Sequence, residues 1–264
     1  GMDVRALARE RVFEETAKAL LKAKQPSVFF AVLEEMNHLE EFFPEVAATR
    51  GVPQNPKYHP EGDVYRHTML VLDQAAALRH RAVEPLFFMF AALCHDLGKI
   101  DSTRMEPDGR ITSHMHPASG RPLAERQLRR LSDNARLLRY VDDMVGNHMR
   151  PNAMAMCQSK KKKTRLLFDA SVCPEDLILL SRADASGKLS GPYDERLEQF
   201  LLERLRDWRE AAAQPMVTGQ DLIAAGLTPD ERFKPMLDRA RVLRFAGLSK
   251  ERALAQVLWE FGAG

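Results

Sequence analysis

The sequence predicts an all-α protein, on three observations. Apolar residues recur at three- and four-residue spacing along most of the chain, as in Val28, Phe29, Val32, Leu33 and Met36, which is the period of a helix with one buried face. The sustained apolar/polar alternation that marks a sheet is missing. Helix-start chemistry is frequent: Asp63, Thr218 and Ser249 each precede a helical pattern, and their side-chain oxygens can accept from the free amides of a first turn.

The elements follow in order. Val12, Ala19 and Leu20 open the helical pattern, and Pro26-Ser27 interrupts it as a new helix start. From Phe43 to Asp63, Pro44, Pro53, Pro56 and Pro60 with Gly51 and Gly62 force an extended, looping path. Asp63 then caps a helix through His67, Leu70 and Val71 to Leu78. Leu86 to Cys94 is apolar throughout and predicts a buried helix, with Gly98 as its C-cap. Asp101 to Pro117 reads as irregular, with a turn at Pro107-Asp108-Gly109. Met149 to Lys163, holding Pro151 and four consecutive lysines from Lys160, reads as a mobile surface segment. Thr218-Gly-Gln-Asp221 and Thr228-Pro-Asp-Glu231 read as helix starts, the second with Pro229 in first position and Glu231 reaching back to the cap. Ser249 caps a last helix that ends at Gly262. There is no internal repeat.

Composition bounds the function. The 264 residues can bury a sizeable core as one large domain or two modest ones. With 39 Lys and Arg against 37 Asp and Glu, the net charge of +2 gives no global basic field of the kind that argues for nucleic-acid binding. Three cysteines outside any C-x-x-C spacing argue against a disulfide framework and fit a reducing cytoplasm. No apolar run approaches the roughly 20 residues that span a bilayer, and Asp3, Arg5, Arg9, Glu10 and Arg11 stand where a signal peptide would be apolar. The expectation is a cytoplasmic protein without a membrane partner. Gly1 before Met2 reads as a tag remnant.

The informative feature is the placement of the histidines. His95-Asp96 closes the apolar run from Leu86, and polar groups at the end of a buried helix are costly unless something compensates them. A cation does so, because the carboxylate binds it and the helix C-terminus favours positive charge. Alone, the pair reads more readily as a solvent-facing helix end. Its companions change that. His67 lies in the first turn of its helix, and Asp184 ends the apolar Leu179-Leu-Ser-Arg-Ala-Asp184. His67, His95, Asp96 and Asp184 together make a mixed nitrogen/oxygen set suited to a first-row divalent metal. His116 and His148 could ligate a second metal or donate to a phosphate. Lys99, three residues after Asp96, could place an ammonium on a phosphoryl oxygen, and Arg121 could add charge for substrate binding; Arg104 reads as a solvated surface cation. His38, His80 and His114 read as surface residues, and His59 is ambiguous because its loop leads to His67.

These residues resemble the HD-domain phosphohydrolase superfamily, with Ala91-Ala-Leu-Cys-His-Asp-Leu-Gly-Lys99 similar to its central H-D-x-x-K motif. Gly51-Val-Pro-Gln-Asn-Pro-Lys-Tyr-His-Pro-Glu-Gly-Asp63 followed by His67 resembles the segment ahead of the HD domain in bacterial tRNA nucleotidyltransferases, the CCA-adding enzymes. Pro26-Ser-Val-Phe-Phe30, Phe43-Pro-Glu45, His114-Met-His-Pro-Ala-Ser-Gly120, Arg182-Ala-Asp184 and Val217-Thr-Gly-Gln-Asp-Leu222 extend the resemblance over most of the chain. The D-x-D pair expected of the nucleotide-adding head does not occur.

The resemblance implies an HD-domain helical bundle with flanking helices: N-terminal helices and proline-rich loop over 1–60, the HD domain over 61–210, and a C-terminal helical segment over 211–264. It implies a metal-dependent phosphohydrolase, a phosphomonoesterase or 2′,3′-cyclic phosphodiesterase, acting on a nucleotide or RNA-end phosphate. Its cofactor would be Mn, Ni, Fe, Co or Mg, held by His67, His95, Asp96 and Asp184, with His116 and His148 as further site residues. Lys99 would neutralise phosphoryl charge, and Asp96 or Asp184 would take the proton from the attacking water. Two rivals remain: a tRNA- or RNA-binding helical module serving a separate catalytic head, motivated by the lysine run with Arg126, Arg129 and Arg130, and a regulatory domain that binds a nucleotide without hydrolysing it.

Overall fold

The computed structural model describes residues 4–262. They form sixteen α-helices, one 3₁₀ turn (Arg79–Arg81) and a single two-stranded hairpin, so the fold is all-α as the periodicity predicts. Packing divides the chain into two units that interleave in sequence: residues 1–153 with 175–198, and residues 154–174 with 199–264.

The first unit is built around α6 (Pro85–Cys94), where Phe88 to Cys94 are all buried. A helix apolar on every side must be covered on every side. Its cover is α1 (Val4–Lys22), α5 (Val64–Leu78) and α9 (Ala135–Asn147). Phe13 of α1 stacks on Phe90 at 5.7 Å between ring centroids. Between α1 and α5 run α2 (Ser27–Glu35) and two single turns, α3 (Leu39–Phe42) and α4 (Pro44–Ala47). The turn at Pro44 departs from the extended path expected there, because proline is well suited to the first helical position.

Asp63 organises the proline-rich loop. Its Oδ1 accepts from Arg66 N at 2.9 Å, capping α5 as predicted, and its Oδ2 accepts from Gly51 N at 2.7 Å. One carboxylate thus starts the helix that carries His67 and pins the far end of the loop before it.

After α6 come α7 (Lys99–Ser102), β1 (Thr103–Met105), β2 (Ile111–Ser113) and α8 (His116–Arg129). The stretch expected to be irregular therefore contains an antiparallel hairpin in register Thr103 to Ser113, turning at the predicted 107–109. Gly98 is not a left-handed C-cap: its backbone is helical. Its role is close approach, since a Cβ there would lie 1.9 Å from the His116 carbonyl oxygen and 2.5 Å from Gly120 N. Gly187 does the same at the end of α12 (Pro174–Ser186), where a Cβ would lie 2.5 Å from Val71 Cγ2 and 2.9 Å from Val71 N of α5. These two glycines set α8 against the His95-Asp96 turn and the end of α12 against α5.

The remaining helices are α10 (Arg150–Met156), α11 (Lys161–Ala170), α13 (Glu195–Ala212), α14 (Gly219–Ala224), α15 (Phe233–Phe245) and α16 (Lys250–Glu260). The stretch 149–163 is thus largely helical, with Lys161–Lys163 opening α11 and Lys161 paired with Asp207 at 2.7 Å. The second unit has its own core of Leu222, Met236, Leu243 and Val257 with smaller neighbours. A helix starts at Thr218 as expected, with Thr218 and Asp221 forming a capping box, and Ser249 caps α16 by accepting from Arg252 N. The expected start at Thr228 fails: residues 228–230 have no regular structure and α15 begins at Phe233. Asp230 is instead engaged with the Arg232 amide and guanidinium. No helix among the described residues is long and apolar enough to cross a membrane.

Candidate metal centre

The first unit brings six predicted residues from five parts of the chain to one point. His67 comes from the first turn of α5, His95-Asp96 from the end of α6, His116 from the start of α8, His148 from the end of α9, and Asp184 from the last turn of α12. All are buried.

Three of the imidazoles are oriented in the same way. His95 Nδ1 donates to Ala92 O, His116 Nδ1 to Ser113 O and His148 Nδ1 to Val145 O, each at 2.8 Å. A carbonyl only accepts, so each Nδ1 carries the proton and each neutral ring leaves a lone pair on Nε2. Those lone pairs face other acceptors. His95 Nε2 is buried without a hydrogen-bond partner, 3.3 Å from Asp96 Oδ2 and 3.9 Å from Asp184 Oδ1. His116 and His148 meet Nε2 to Nε2 at 3.3 Å, with Asp96 Oδ1 at 3.3 and 3.6 Å. Acceptors aimed at one another from a buried site call for positive charge between them.

The spacing suits a metal ion. With bonds of about 2.1 Å, ligand atoms on opposite sides of one ion stand roughly 4 Å apart and neighbouring ones closer. His67, His95 and Asp96 form one group with all ligand atoms within 4.8 Å of one another, and Asp96, His116 and His148 form a second. Asp96 belongs to both: Oδ2 faces His67 and His95, while Oδ1 faces His116 and His148. Asp184 joins the first group, its Oδ1 lying 3.0 Å from His67 Nε2. These clusters could hold a metal.

The electrostatics agree. Burial disfavours the charged carboxylates of Asp96 and Asp184, yet their neighbours outweigh it and hold both well below the usual range: chiefly the Lys99 ammonium for Asp96, and the Lys188 ammonium with the His67 hydrogen bond for Asp184. Burial likewise works against a charged His67, but its hydrogen bonds to Asp184 and Glu61 raise its pKa above the ordinary value.

The centre lies on the wall of a cleft of about 330 Å³ that Asp96, His116 and Asp184 line together with the cations Lys99, Arg110 and Lys188. Lys99 Nζ donates to Asp96 Oδ2 at 2.6 Å and to Gln54 Oε1 at 2.7 Å. Lys188 Nζ stands 3.4 Å from Asp184 Oδ2. Arg121, expected in substrate binding, is not among the residues that line this cleft. Its guanidinium is held by Asp142 on the exposed side of α8, with Nε donating to Oδ1 at 2.8 Å.

No family model matches the chain. It is 35% identical over 256 residues to the multifunctional CCA protein of Laribacter hongkongensis, covering 91% of this chain and 57% of the relative. It is 39% identical over 218 residues to that of Ralstonia nicotianae, covering 80% and 48%, and 33% identical over 261 residues to that of Cupriavidus metallidurans, covering 96% and 58%. The chain is homologous to the body of the multifunctional CCA proteins. It spans about half the length of the curated relatives it matches.

Three residues around the centre escaped the sequence reading. Glu61 is fully buried and accepts from His67 Nδ1 and His59 Nδ1, both at 2.8 Å. Lys188 and Gln54 engage Asp184 and Lys99. Only Glu61 had a usable signal, standing beside His59 in the loop that leads to His67. His59 and His114 line the cleft, while His38 pairs with Glu41 at the surface.

Proposed function

We propose that this chain is a metal-dependent phosphohydrolase of the HD type, a phosphomonoesterase or 2′,3′-cyclic phosphodiesterase acting on a nucleotide or RNA-end phosphate. The observation that carries the reading is the coincidence of two things in one cleft: imidazole lone pairs and carboxylates converging on Asp96, and the cations Lys99, Arg110 and Lys188 on the same walls. The first arrangement attracts a divalent cation and the second attracts a phosphoryl group.

A divalent ion bound there would lower the pKa of its water to about 7 and polarise a phosphoryl oxygen. His67, His95, Asp96 and Asp184 would hold it, with His116 and His148 available to a second ion or to the phosphate. Lys99 and Lys188 would neutralise charge that builds on the phosphoryl oxygens in the transition state. Asp96 and Asp184 remain ionised, as a group that takes a proton from water must.

A second reading is favoured by the homology: a tRNA-binding helical module working with a separate catalytic head. One screen separates the two. The chain is incubated with cyclic nucleotides, nucleoside monophosphates and generic phosphoesters, each with Mn, Ni, Co or Mg, and product release is measured alongside tRNA gel shifts. Metal-dependent release of phosphate or opening of a cyclic phosphate is the expected result. Salt-sensitive tRNA binding without turnover on any substrate would favour the second reading instead.

A further inference from the structure

Glu61 lies outside the groups that converge on Asp96, yet its two oxygens gather three segments around them. Oε1 accepts from His67 Nδ1 and from His59 Nδ1, and Oε2 accepts from Leu189 N at 3.1 Å. The side chain has no solvent exposure. Burial opposes its charge, but the bonds from His67, His59 and the backbone outweigh it and bring its pKa down to about 2.

Each of these bonds bears on the centre. His67 is the one imidazole of the set whose Nδ1 faces a carboxylate instead of a carbonyl. A proton held on Nδ1 by Glu61 leaves Nε2 as the lone-pair nitrogen on the Asp96 and Asp184 side, and the negative charge raises that nitrogen's basicity. The bond to Leu189 N fixes the backbone next to Lys188, whose ammonium faces Asp184. The bond to His59 anchors the loop that also supplies Gln54 to Lys99.

We infer that Glu61 is a positioning residue for the metal centre: it sets the tautomer, orientation and basicity of His67 and thereby the affinity for the ion. The inference rests on the metal-centre reading above. The carboxylate is needed for its charge and for accepting on both oxygens. A glutamine keeps the shape but must turn its NH₂ toward either the two imidazole N–H groups or the Leu189 N–H, so one of those contacts becomes donor against donor.

The test is metal affinity, measured on the full chain by competition with a chromogenic chelator for Mn²⁺ and Ni²⁺. Circular dichroism and melting of the metal-free proteins serve as the check on folding. Loss of an outer carboxylate partner weakens metal binding by about 10- to 100-fold, and that is the expected shift for Glu61→Gln. If Glu61→Gln does not fold, Glu61→Asp is read in its place; its shorter side chain keeps the charge but cannot span both His67 and Leu189, and the same direction of change is expected. Nitrogen NMR of the metal-loaded wild type should show His67 protonated on Nδ1 and bound through Nε2. A folded variant whose Kd stays within about threefold of wild type, or a His67 bound through Nδ1, would overturn the role. A wild-type chain that takes up neither ion would instead sink the metal centre itself, and the role of Glu61 with it.

Discussion

The two sides of Asp96 are built differently. On the Oδ2 side stand His67, His95, the Lys99 ammonium and a second carboxylate, Asp184, with Glu61 behind His67 and Lys188 behind Asp184. On the Oδ1 side stand His116 and His148 alone, each braced by a backbone carbonyl. One side has its own negative charge and a carboxylate-backed histidine; the other depends on the oxygen that Asp96 lends it. Affinity for a cation follows ligand charge and outer-partner support, so the Oδ2 side should fill first and hold its ion more tightly.

Removing the shared carboxylate should erase the difference. Asp96→Ala is expected to lose metal on both sides and drop hydrolysis to background, a fall of at least about 100-fold, since loss of even an outer partner reaches that scale. Metal analysis and turnover on the same sample check this. His67→Ala and His116→Ala should then split the sides. His67→Ala removes the tighter ion and with it most activity. His116→Ala should retain one equivalent of metal, with affinity on the Oδ2 side within about tenfold of wild type, as titration calorimetry would show. Equal losses in the two variants would mean that the sides are not distinct.

The pH dependence sharpens the same contrast. His67 in the metal-free protein has a pKa raised above its ordinary 6.5, so the stability it contributes is full below about 6.5 and is lost as pH rises through the folded value. The metal-free chain, melted in chelator, should therefore melt at a lower temperature as pH rises through the folded value. The metal-loaded chain should gain instead, because proton and ion compete for Nε2. The smallest effect is expected at Arg121: its exposed pair with Asp142 is worth at most about 1 kcal/mol, and Arg121→Ala should leave hydrolysis within about threefold.

The helices were legible because burial imposes a period, and α6 was legible because Leu86 to Cys94 is apolar on every side. His95-Asp96 stood out for the same reason, as polar groups ending an apolar run. Glu61 offered only its place near His59, in the loop that leads to His67. It sits in a loop without periodicity, and its partners lie two, six and 128 residues away in the chain. Gly98 was visible but misread, because close approach to His116 leaves no mark in the local pattern that distinguishes it from a helix stop. Interleaved units leave no shift in composition at the points where the chain departs and returns. At Thr228 local chemistry allowed a cap, and the nearby Asp230 engages Arg232 instead.

The central claim is that Asp96 anchors a metal centre that hydrolyses phosphoesters. The most direct measurement compares metal content and phosphoester turnover of wild type and Asp96→Ala after both are stripped and reloaded with Mn²⁺, with circular dichroism confirming that both are folded. The account predicts bound metal and turnover in the wild type and neither in the variant. Retained turnover in a metal-free Asp96→Ala protein would contradict it.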